Sequence, residues 1–194
     1  MKRALALVAA LLLATGASAQ APAPPPPTVL SSPAFPDYGA LPLKYAPNAR
    51  AQTTYAGLSP PLAWTNPPPR TRALAVTMLD LEAAPGGDPD DEVLWMVVNL
   101  PASTAGLPEG VPRGRTAMLP EGAFQRSFAS NGYVGPKPGA DRQMHHYEFE
   151  LYTLDQALDV PHDVTLSQFK AAMKGHETGE RRVLLVTCCT ASHD

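Results

Sequence analysis

Residues 135–152, GPKPGADRQMHHYEFELY, set two adjacent histidines between a Gly/Pro-rich loop and a run of alternating character. An imidazole changes charge near neutral pH and carries two distinct nitrogens, so it can hold an anion, move a proton or ligate a metal. The two-residue period of an extended strand separates this pair. His145, Tyr147, Phe149 and Leu151 share one face, and His146, Glu148, Glu150 and Tyr152 share the other. His145 therefore heads an apolar face with the Tyr147 hydroxyl beside it. His146 heads a face with two glutamates and is expected to be solvated. Spacing alone leaves His145 open between a core histidine satisfied by a backbone carbonyl and a donor at the mouth of a site.

The same count on ALAVTMLD, residues 73–80, puts Asp80 at the end of a stripe made by Leu74, Val76 and Met78. A carboxylate at that position is costly to bury unless something pairs with it. A histidine would be a natural partner; water at a strand end beside Glu82 is the other reading.

Other chemistry finds little support. The sequence holds no GxSxG elbow, no Gly-rich phosphate loop with a lysine and no HExxH. His145 and His146 on opposite strand faces do not easily share one metal ion, and His162-Asp163 after a proline reads as a loop. No metal, no cofactor and no catalytic residue is expected. An acid–base pair of Asp80 and His145 is the one enzymatic alternative.

The elements that must position these residues are mostly strands. ALAVTML (73–79), VLWMVVNL (93–100), YEFELYTL (147–154) and RVLLVTCC (182–189) are short, branched or aromatic, and bounded by Pro/Gly clusters. One segment, TLSQFKAAMK (165–174), has apolar residues at helical spacing, with Gly175 as its stop. No βαβ alternation or repeat is present, and the 23 prolines suit loops and strand ends. The expected class is mainly all-β, an antiparallel Greek-key β-sandwich with one or two peripheral helices.

Residues 1–19, MKRALALVAALLLATGASA, combine a basic start, an apolar run and a small-residue end, the pattern of a secretory signal peptide. Residues 20–30 read as a Pro-rich linker and 31–194 as one domain. No apolar stretch reaches the ~20 residues of a membrane span, so a periplasmic or secreted chain without an integral segment is expected after processing. A net charge of −3 with scattered Lys and Arg gives no basic stripe for nucleic acid. The only cysteines, Cys188 and Cys189, are neighbours. They read as strand residues on opposite faces, with a vicinal disulfide or an intermolecular bridge as the alternatives.

Four ordered motifs are similar to those of a known family. LSPPLAWTNPPPRTRALAV, LDLEAAP, LWMVVNLPAST with LPEG, and GYVGPKPGADRQMHHYEFELYTLD resemble the phosphatidylethanolamine-binding protein (Raf kinase inhibitor protein) family, its bacterial branch in particular. The resemblance runs from about Phe35 to about Thr187 and includes GHETGE at 175–180. It implies a β-sandwich with a small pocket for phosphate-like or carboxylate groups, lined by Asp80, His145 and Tyr147 with the loop at Gly135 and Pro136. Leu81 replaces the family's proline, Glu82 its second aspartate and His146 its arginine. Leu94 stands where a further pocket histidine is usual, which removes a donor and shifts the expected ligand toward a less charged, more apolar one.

The resemblance implies a non-catalytic exported binding protein for a small anion or lipid headgroup. An inhibitor acting by surface contact, on a protease rather than a cytosolic kinase, is the second expectation.

Overall fold

The computed structural model describes residues 25–46, 58–82, 93–136 and 144–188. The expected signal peptide and the first residues of the linker lie outside this set, as does Cys189. Among the described residues the chain forms nine strands and one α-helix. In order these are β1 (Val29–Ser31), β2 (Gly39–Ala40), β3 (Leu62–Thr65), β4 (Ala73–Asp80), β5 (Val93–Pro101), β6 (Gly106–Leu107), β7 (Phe124–Arg126), β8 (His145–Leu154), α1 (Leu166–Met173) and β9 (Arg182–Cys188). A 3₁₀ turn at Leu43–Tyr45 follows β2.

The alternating segments build the large sheet, in which β2, β9, β8, β4, β5 and β7 are successive neighbours. A smaller sheet has the order β1-β3-β6. The pairings are antiparallel except for β2 with β9, which is parallel, so the large sheet is mixed rather than wholly antiparallel as the sequence suggested. The exception is local. Two residues of β2 are held on the edge of β9, and Tyr38 N donates to Leu185 O and Leu41 N to Thr187 O.

One apolar cluster joins the two sheets. It takes Leu30, Leu62, Trp64 and Leu107 from the small sheet and Leu74, Val76, Met78, Tyr147, Phe149, Leu151, Leu184 and Val186 from one face of the large one. A second cluster on the opposite face packs Ala75, Met96, Val98, Tyr152 and Leu154 against Leu166, Phe169 and Met173 of α1. The helix lays an apolar stripe on the sheet, and each large side chain so buried contributes roughly 1.5–3 kcal/mol. Its N-terminus is closed by a capping box: Thr165 Oγ1 accepts from Gln168 N, and Gln168 Oε1 accepts from Thr165 N. Gly175, at φ 86°, ends it.

A β-bulge interrupts β5. Met78 pairs with Trp95 but Leu79 pairs with Val93, so Leu94 is the extra residue. The bulge breaks the alternation, and Leu94 and Trp95, though consecutive, both join the inter-sheet core.

The last prolines of the linker are docked. Thr28 Oγ1 donates to Asn66 O at 2.8 Å and Asn66 Nδ2 donates to Pro27 O at 3.3 Å. Pro25–Thr28 and Asn66–Pro69 face each other across a groove of about 380 Å³ that also touches Gly179, Glu180 and Arg182. The groove lies at the end of the large sheet where Ala73 pairs with Leu154.

Candidate functional site

The opposite end of β4 and β8 carries the residues that sequence periodicity singled out. Asp80 is the last residue of β4 and pairs in register with Tyr147 of β8. That register lets its carboxylate reach the neighbouring inward residue: His145 Nδ1 lies 3.0 Å from Asp80 Oδ1 and 2.9 Å from Oδ2. Both groups are largely withdrawn from water, with side-chain exposures of 10% for His145 and 17% for Asp80. The water-exposed reading of Asp80 therefore gives way to the paired one. A bond from Nδ1–H to the carboxylate fixes the ring's orientation and directs Nε2 away from Asp80. Tyr147 is buried next to it, its ring near-parallel to the imidazole with centroids 6.2 Å apart.

His146 is exposed, as the strand period requires, but it is not merely solvated. Glu82, in the turn after β4, accepts from His146 N at 2.6 Å and contacts His146 Nδ1 at 2.6 Å. Burial pushes the Glu82 carboxyl up, but the His146 backbone N–H and imidazole outweigh it and hold the group below its ordinary range. Two further bonds shape this turn: Asp80 Oδ1 accepts from Glu82 N at 3.0 Å, and Leu81 N donates to His146 O at 3.0 Å. The turn brings oxygen atoms of Asp80 and Glu82 and a nitrogen of His145 within 4.8 Å of one another. Neither His145-His146 nor His162-Asp163, the pairs that the sequence offered for a metal, includes Glu82. Its signal was the i, i+2 spacing of two acids at a strand end.

Leu94, Gly135 and Pro136 are tied together by backbone. Val134 N donates to Leu94 O at 2.9 Å, and Gly135 and Pro136 follow directly, both buried. Tyr133 anchors the same loop, its hydroxyl donating to Tyr45 O at 2.8 Å. The bulge thus turns Leu94 into the inter-sheet core that also holds Tyr147.

Cys188 is the register partner of His145 on β9 and is buried in the same core. It is disulfide-bonded, which corrects the reading of two unlinked strand cysteines. Cys189, the one other cysteine of the chain, falls outside the described residues.

The outer face of β8 departs further from expectation. Glu150 is completely buried on the sheet face that carries α1, yet fully occupied. Its carboxylate accepts from Thr77 Oγ1 at 2.9 Å and Tyr152 OH at 2.6 Å, and it pairs with Arg181. Burial, followed by the neighbouring Glu150 carboxyl, holds Glu148 above its ordinary range. This network is a structural anchor for β4, β8 and the segment before β9, distant in register from His145.

The sequence profile described as phosphatidylethanolamine-binding protein matches residues 31–186. A UPF0098 protein of Methanothermobacter thermautotrophicus is 32% identical over 158 residues, covering 80% of this chain and 95% of the relative. A Mycobacterium tuberculosis protein named as a lipoprotein, LppC, is 30% identical over 156 residues, covering 80% of this chain and 69% of that one. Among solved structures, a phosphatidylethanolamine-binding protein homologue from Chlamydia trachomatis, CT736, superposes with a TM-score of 0.67 at 29% identity, over 84% of this chain and 97% of that one. YbcL of Escherichia coli shares the fold, with a TM-score of 0.68 at 22% identity, over 82% and 96% of the two chains.

Proposed function

The chain belongs to the phosphatidylethanolamine-binding protein family, and on that premise we propose that it is an exported, non-catalytic binding protein whose site at Asp80, His145 and Tyr147 takes a phosphate- or carboxylate-like headgroup. The observation that carries this reading is the bond between His145 Nδ1 and Asp80 on the inward face of β8. Asp80 orients the ring, and His145 and Tyr147 donate to the ligand's oxygens. The Gly135 N–H, on the loop fixed to Leu94 O, adds a donor.

The surroundings favour a ligand with an apolar portion. Leu94 offers hydrocarbon where a donor would serve an anion better, and Leu81 and Met144, on either side of the strand end, are half exposed. Export rests on the basic, apolar and small-residue pattern of residues 1–19, together with the lipoprotein name of one relative. Among the described residues no helix is long and apolar enough to cross a membrane.

Calorimetric titration of the mature domain with phosphoethanolamine, acetate and a short-chain phospholipid tests the site. Binding heat that is lost in His145→Ala is the expected result. Equal heats from the two proteins would place any binding elsewhere.

A further inference from the structure

We propose that the same strand end is a divalent transition-metal site, with Asp80, Glu82 and His145 as its three protein ligands. One oxygen of each carboxylate and one nitrogen of His145 lie within 4.8 Å of one another. Zinc-type ions hold nitrogen and carboxylate oxygen at about 2.0–2.2 Å, so donors around one ion stand roughly 3 to 4 Å apart. His145 Nδ1 and the Asp80 oxygens, at 2.9 and 3.0 Å, stand close to that spacing, and an ion entering there displaces the Nδ1 proton and leaves a neutral ring that carries its hydrogen on Nε2. Glu82, which is 38% exposed, completes the set by turning one carboxylate oxygen from the His146 ring toward the ion.

Rigidity favours the same conclusion. Asp80 and His145 sit on strands locked in register, and the turn between Asp80 and Glu82 is closed by the bond from Glu82 N to Asp80 Oδ1. Glu82 is further held by the backbone N–H of His146, the kind of outer contact that orients a metal-binding carboxylate. Charge points the same way: two carboxylates converge at this strand end, both partly withdrawn from water. A divalent cation balances both carboxylates at once.

The donor set selects the ion class. Two oxygens and one imidazole nitrogen suit zinc, manganese or iron(II) better than calcium, which takes oxygen donors only. Three protein ligands leave a coordination position open. On the anion-binding reading above, from which this part follows, the bound ion supplies the positive charge that Leu94 does not.

The test is calorimetry of the chelator-stripped mature protein with zinc chloride. The expected result is one zinc per chain, with affinity about tenfold or more weaker in both Glu82→Gln and His145→Ala. His176→Ala, at an exposed histidine paired with Asp155, is expected to bind as the parent does. Glu82 is a turn residue on the surface, so its variant keeps the inference testable should His145→Ala fail to fold. Absence of saturable binding, unchanged affinity in Glu82→Gln, or loss in His176→Ala would each overturn the inference. An acetate titration in chelator separates it from the anion reading. His145-dependent acetate heat without zinc binding defeats the metal inference alone, whereas Glu82-dependent zinc binding without acetate heat upholds it and removes the other.

Discussion

Asp80 Oδ2 and His145 Nδ1 meet at 2.9 Å across two strands that pair Asp80 with Tyr147, one pleat further along β8. The contact is diagonal, so it depends on the strand register rather than on a flexible loop. Replacing Asp80 by alanine leaves a largely buried imidazole without its acceptor and is expected to cost about 2 kcal/mol of stability. Asparagine keeps an acceptor oxygen and should cost less while still weakening headgroup binding. Urea unfolding of both variants, with calorimetry on each, checks the order.

Glu150 is the most demanding buried group. Its carboxylate serves Thr77, Tyr152 and Arg181 together, and Thr77 is fully buried. Glu150→Ala is expected to destabilise by about 3 kcal/mol, because two hydroxyls lose their acceptor inside the fold. A loss below about 1 kcal/mol in urea unfolding would show that this network adds little to stability.

Glu82 and Glu148 should move stability in opposite directions with pH. Glu82 is held below its ordinary value of 4.5, so its contribution is present above that pH and is lost as pH falls through the lower folded value. Glu148 is held above 4.5, so ionising it in the folded state carries a penalty that appears as pH rises past 4.5. Glu82→Gln should therefore be less stable than the parent at neutral pH and converge with it in acid. Glu148→Gln should match the parent in acid and become the more stable protein as pH rises. Thermal melts across the acid-to-neutral range decide both.

Cys188 is bonded and buried, so alkylation of the native oxidised protein should add no label. After reduction and unfolding, intact-mass measurement should find two labels, one per cysteine. A single label before reduction would contradict the disulfide.

The long strands and the helix were legible because each carries a period over seven or more residues, long enough for alternation to speak. Strands β2 and β6, with two residues each, have no period to read and exist because neighbouring strands offer them an edge. The juxtaposition of Asp80, His145 and Tyr147 was legible for the same reason, since each ends or heads an apolar stripe. Glu82 was not, because its place depends on a turn closed by a side-chain bond. Glu150 misled: polar residues on alternate positions usually mean a wet face, but α1 packs on this face of the sheet and Thr77, Tyr152 and Arg181 satisfy the charge. Leu94 sits inward through a bulge that no two-residue count anticipates.

The docked linker fixes how the molecule can be held. Pro25–Thr28 meet the sheet at its Ala73–Leu154 end, and the Asp80–His145 pair lies seven residues along β4, about 23 Å away at the usual rise of a strand. A chain attached through its N-terminal side therefore points the proposed binding end away from the support. Surface-coupled measurements should be anchored there, and a bulky carrier fused at that side should leave ligand access unchanged.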